Sequence, residues 1–130
     1  MKKEPAQVPF DLNDFLPYRL STLTNRISRA FSTLYSEQFA LTIPEWRVMA
    51  VLGQESGLSA DQVCARTEMD KVTVSRTVAR LLEKGHVARE FASAARRRSM
   101  LALSTRGRAI YRRIIPLARA YEAALSAGLS

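Results

Sequence analysis

Apolar residues recur at spacings of three and four through the first third of the chain. In FLPYRLSTLTNRISRAFSTLYSEQF they fall at Leu16, Leu20, Leu23, Ile27, Phe31 and Leu34. That spacing predicts one face of an amphipathic helix. The stretch is 25 residues long, which exceeds the usual helix of a small domain and suits a partner helix as well as a local core. LTIPEWRVMAVLG predicts the next helix. Thr42 and Glu45 have capping-box spacing, Pro44 falls in the tolerated first turn, and Gly53 is placed to end the helix. LSADQVCARTE carries a second capping-box pair, Ser59 and Gln62, and a short helix that turns Val63 and Cys64 inward. Asp70 then caps DKVTVSRTVARLLEKGHV, and Gly85 stops it. Beyond Gly85 the period changes. HVAREF and SMLALS read as short strands around ASAARRR, which predicts a β-hairpin with an arginine-rich tip. Ser104 caps a last long helix with Ile110, Ile114, Leu117, Tyr121 and Leu125 along one face, and Pro116 is expected to kink or loosen it. The fold class is therefore mainly α with a small β-hairpin, containing a helix-turn-helix in outline.

The helix after Asp70 has two faces. At about 100° per residue, Val74, Val78 and Leu81 fall in one sector, which must bury against the preceding helices. Thr73, Arg76, Thr77 and Arg80 fall in another and are expected to face outward, with Ser75 beside them and Lys71 near the N-terminus. That end of a helix favours phosphate through its partial positive charge and free N–H groups.

Charge sharpens this picture. The chain carries a formal net charge of +8, unevenly spread. Twelve of its 20 Lys/Arg but only two of its 12 acids, Glu83 and Glu90, fall between Lys71 and Arg113. A solvated face would mix both signs; a concentrated basic surface favours a polyanion. Threonines can meet bases or thymine methyls, and arginines can grip guanine edges or phosphates, so the outward face suits the major groove of double-stranded DNA.

Other function classes recede. The chain of 130 residues is long enough for one domain and too short for two. With 47% hydrophobic residues, five glycines and five prolines it is not disordered. It has no apolar run that would span a bilayer and no secretory h-region at its N-terminus, and its single cysteine allows no internal disulfide. A cytoplasmic protein is expected. Cys64 behaves as a small apolar residue in the bland reading and as a redox switch in the sharper one. His86, the single histidine, has no metal-ligating company in sequence. HExxH, GxSxG and glycine-rich phosphate loops are absent, so no enzyme, metal or cofactor is expected.

TVSRTVARLLEKGHVARE followed by RRRSMLALSTRGR, within this order of helices and hairpin, resembles the MarR family of bacterial transcription regulators over roughly residues 12–129. The resemblance implies a winged helix-turn-helix over about 42–104, with a recognition helix at Asp70–Lys84 and a wing at about Val87–Leu103. It also implies a homodimer formed through helices at about 12–40 and 105–129. The wing arginines would be Arg96, Arg97 and Arg98, with Arg97 at the arginine of the family's Asp-x-Arg. Ala95 stands where the acid is usual, which leaves Arg97 without its orienting partner. Family chains usually continue past the level of Leu129 with a further dimerising helix, so either the interface is reduced or the sequence is incomplete. Family members often release DNA on binding small aromatic or phenolic effectors; Tyr18, Arg19, Trp46 and Met49 are the candidate pocket residues. The implied function is a ligand-responsive repressor on a pseudo-palindromic operator. Rival readings are a degenerate dimeric protein-interaction module and a thiol switch at Cys64.

Overall fold

The structure, a computed structural model, describes residues 8–93 and 96–128, with the side chains of 91–98 left aside. A 3-10 turn, Leu12–Asp14, leads into α1 (Leu16–Ser32) and the one-turn α2 (Ser36–Phe39). Then come α3 (Ile43–Gln54), α4 (Ala60–Thr67), α5 (Lys71–Lys84), strands β1 (Val87–Ser93) and β2 (Arg96–Leu103), and α6 (Thr105–Ala127).

The predicted caps form. Thr42 and Glu45, and Ser59 and Gln62, exchange both bonds of a capping box, and Asp70 and Ser104 cap α5 and α6. Gly85 ends α5 with φ +77°, a conformation that costs glycine no Cβ clash. The strands pair antiparallel from Val87 opposite Leu103 to Phe91 opposite Ser99, with an irregularity before Ser93. Leu58 adds a bridge to Leu101, exchanging N–H···O bonds of 3.2 and 2.7 Å. The wing is thereby tied to the start of α4.

The core gathers Val48, Met49 and Leu52 of α3, Val63 of α4, and Val74, Val78 and Leu81 of α5. Leu58, Val87, Leu101, Leu103 and Ile114 close it on the other sides. The apolar sector of α5 is thus buried as its period required.

Two expectations change. The first helix does not run 25 residues; it breaks after Ser32. The Ser32 and Thr33 hydroxyls donate to the carbonyls of Arg29 and Ala30. The backbone then tightens to i+3 bonds, Leu34 N to Phe31 O and Tyr35 N to Ser32 O. Leu34 is left exposed, while the Tyr35 ring is buried at 1% exposure. Burial pushes the Tyr35 hydroxyl up to about 12, against the opposing pull of Arg47.

Gly53 does not end α3, which continues to Gln54. Its role is close approach: a Cβ there would run into the Tyr111 ring of α6. Pro116 lies within α6, at an exposed position.

Candidate nucleic-acid interface

The first turn of α5 is held rigidly. Asp70 accepts from the Thr73 backbone N–H at 2.8 Å and from the Thr73 hydroxyl at 2.7 Å. Those two bonds hold the Asp70 carboxyl below its ordinary range. Thr73 is half-exposed, with its proton committed to this cap. Lys71, Ser75, Arg76 and Arg80 are exposed.

Thr77 departs from the expected face. It is buried at 4% exposure, and its hydroxyl donates to Thr73 O at 2.7 Å. The reason is angular: Thr77 lies only about 60° from Val74 on the helix, at the flank of the buried sector. The outward face is centred instead on Val72, Ser75, Arg76 and Ala79, all exposed. Sequence reading missed Val72, which is 58% exposed. Its position nearly opposite Val74 on the wheel was the available signal.

Charge on the lobe is divided by face. Lys84 donates to Glu45 Oε2 at 2.6 Å and to Ala40 O at 2.9 Å, tying the end of α5 to the start of α3. Burial opposes ionisation of Glu45, but the bond from Lys84, the Thr42 donors and the ammonium charge together hold its carboxyl below the ordinary range. Arg66 pairs with Glu55 at 2.8 Å, and Arg89 donates to Ser99 at 2.7 Å. Lys71 makes a loose 3.7 Å contact with Asp61, both highly exposed, a pair of little energetic weight. Arg76 and Arg80 have no ion-pair or hydrogen-bond partner among the described residues.

His86 sits where α5, the wing and α6 meet. Its carbonyl accepts from Ser104 N at 3.0 Å and lies where a Cβ on Gly107 would go. The ring is buried, and Nδ1 has no hydrogen-bond partner among the described residues. Burial, then the charges of Arg106 and Lys84, push the imidazole below its ordinary range against the pull of Glu45. Val63 is fully buried, but Cys64 is only partly so. It lines a recess of about 290 Å³ with Ala60, Lys71, Val74, Ser75 and Arg89. The wing tip, Ala95 included, and the side chains of Arg96, Arg97 and Arg98 lie outside the described residues.

A family model described as MarR family matches residues 41–99, the stretch from Leu41 through α5 into the wing. The MarR family transcriptional regulator SPO1453 from Silicibacter pomeroyi DSS-3 has the same fold in its crystal structure. It aligns with a TM-score of 0.80 and 26% identity over 93% of this chain and 85% of that one. Over residues 41–99 the chain is similar to the MarR family, and it shares the fold of a solved member. Among similar members, the transcriptional repressor Rv2887 of Mycobacterium tuberculosis H37Rv is 29% identical over 117 residues, 89% of this chain and 81% of that protein. Its solved complex with p-aminosalicylic acid aligns with a TM-score of 0.71 and 28% identity over 89% of this chain and 87% of that one. The regulator TtmR of Methylorubrum extorquens PA1 is 28% identical over 102 residues, 78% of this chain. This chain spans about half of TtmR, 52% of its length.

The four MarR-type effector candidates have different surroundings among the described residues. Arg19 lines a groove of about 360 Å³ on α1 with Leu16, Leu20, Thr22, Leu23 and Arg26. Tyr18 is exposed on the same helix. Trp46 is half-buried in an aromatic stack, 5.7 Å from Tyr35 and 6.1 Å from Tyr111 between ring centroids. Met49 is fully buried in the core, on the α3 face that packs inside the lobe.

Proposed function

We propose that this chain is a ligand-responsive transcriptional repressor of the MarR family that reads double-stranded DNA as a homodimer. It acts by binding alone, without catalysis or a cofactor, and works in the cytoplasm; no helix among the described residues is long and apolar enough to cross a membrane. The observation that carries the reading is the division of charge on the lobe. Lys84, Arg66 and Arg89 are engaged by neighbouring groups, whereas Arg76 and Arg80 stand exposed on the outer face of α5, with no partner among the described residues. Basic groups left free on a rigidly capped helix are available to phosphate and base edges. In this reading Ser75 and Arg76 meet bases in the major groove, and Lys71 and Arg80 grip phosphates. Thr73 supports them by holding the cap. Arg96, Arg97 and Arg98 of the wing approach the flanking minor groove, where narrow A/T-rich segments attract arginine.

A second copy of the chain is supported by the apolar surface of the N-terminal region. Phe10, Leu12, Phe15, Leu16, Leu20 and Leu23 are all exposed, a cluster beyond the scattered apolar residues normal on a monomer. The chain is then one MarR-type domain, with dimerising helices at about 12–40 and 105–129 flanking a DNA-reading lobe at about 42–104. The Rv2887 complex supports a small aromatic carboxylate as effector. Arg19 offers the cation for it, and Tyr18 and Trp46 the aromatic surface.

The test is selection of DNA fragments from a random library by the purified protein, followed by anisotropy titration with p-aminosalicylate as probe. Enrichment of a twofold-symmetric sequence, released by the probe, is expected. Failure to enrich any sequence overturns the DNA-reading role. Enrichment without release overturns this effector class alone.

A further inference from the structure

Val72 is an anomaly of placement. Among the described residues, the exposed large hydrophobic side chains lie at Val8–Leu34 and at Leu125, with Val72 alone between them. It stands on the outward face of α5 at 58% exposure, about 160° around the helix from the buried Val74. Helix formation does not explain it, since valine is a weaker helix former than the Lys and Arg around it. Nor does it pack in the lobe. Its surroundings are specific: Lys71, Val72, Ser75 and Arg76 line an open recess of about 380 Å³ on the surface of the helix. An apolar floor between two cations suits a ligand that is apolar at one point and anionic on both sides. The thymine 5-methyl group, projecting into a major groove walled by phosphates, is such a ligand.

We propose that Val72 is a specificity-determining residue that reads a thymine methyl in each half-site. The two hydrogen bonds that Thr73 donates to Asp70 hold this readout in place, because they fix the turn that carries Val72. The inference rests on the DNA-reading function proposed above, with Ser75 and Arg76 on the adjoining base steps.

The experiment uses the intact protein and the sequence it selects. Each thymine of the selected half-site is replaced in turn by uracil, which removes only the methyl group and keeps the base pair. Wild-type protein should lose about fourfold in affinity at one thymine per half-site, the scale of one lost methyl-sized apolar contact. Val72→Ala should bind the thymine and uracil versions alike, at the affinity of wild type for uracil. Its thermal unfolding should match wild type, because the side chain is largely exposed. Wild-type indifference to uracil at every position, or a uracil penalty that persists in Val72→Ala, overturns the assignment while leaving the regulator reading intact. Absence of any selected sequence overturns both, and separates the two failures.

Discussion

Thr77 shows how a residue beside a functional face can serve the fold instead. Its hydroxyl bonds back to Thr73 O from a buried position. Thr77→Val keeps the shape and should therefore change stability by less than about 1.5 kcal/mol in denaturant titration, with operator discrimination unchanged. Arg76→Ala should reduce that discrimination by about 1–3 kcal/mol, while Arg106→Ala, if its guanidinium meets only phosphate, should weaken operator and random DNA alike. A loss of discrimination in Thr77→Val with none in Arg76→Ala would reverse the assignment of faces. At the same scale, Lys84 and Glu45 make stability pH-dependent. The Glu45 carboxyl titrates below its ordinary 4.5 in the folded chain. Its contribution is complete above that pH and is lost as the pH falls through the lower folded value. Lys84→Met should cost about 1–3 kcal/mol at neutral pH, less than a fully buried pair because the Lys84 side chain is 37% exposed. It should also flatten the acid limb of the stability curve. His86 adds a separate slope. Its depressed value means the unfolded chain takes the proton first, so its stabilising effect is complete above 6.5 and declines as the pH drops below it.

Among elements, the contact of α3 with α6 closely constrains how the lobe meets the long C-terminal helix. Gly53 faces the Tyr111 ring, which stacks on Trp46 at 6.1 Å. Alanine is the better helix former in isolation, by about 1 kcal/mol. Here the added methyl must displace a packed ring, so Gly53→Ala should destabilise by about 1–3 kcal/mol. Calorimetric unfolding of Gly53→Ala alone and combined with Tyr111→Leu checks it. The penalty should shrink in the double variant, because the two sites share one contact. An unchanged penalty would place the strain elsewhere.

For the whole molecule, the question is what covers the N-terminal apolar surface. Ile27 and Phe31 turn inward, and Phe31 meets Tyr35 at 5.2 Å and Tyr121 at 5.4 Å. Leu16, Leu20 and Leu23, on the same helix, remain open. If a second copy covers them, Leu20→Asp should leave the fold intact and halve the sedimenting mass. It should also remove high-affinity operator binding, since each protomer then meets only one half-site. In wild type, footprinting should show half-site centres about one helical turn, 34–36 Å, apart. A Leu20→Asp protein that still sediments as wild type would move the interface to another surface.

Local chemistry settled much of this in advance. The caps at Thr42, Ser59, Asp70 and Ser104, the stop at Gly85 and the inward stripe of Val74, Val78 and Leu81 depend on groups within four residues of one another, so their spacing is readable in the chain. The same holds for the order of helices and hairpin that carries the MarR resemblance. What the sequence left open are the features decided by distant partners. Gly53 resembled a helix end until Tyr111, far along the chain, required it inside the helix. Lys84 is one base among the twelve between Lys71 and Arg113 until the fold brings it to Glu45. Met49, a pocket candidate by sequence, is placed in the core by packing. Thr77 left the outward face and Val72 joined it because the packing of α5 against α3 and α4 set the rotation of the helix and hence the edge of its buried sector. Periodicity fixes which residues share a side; only tertiary contact decides where that side ends.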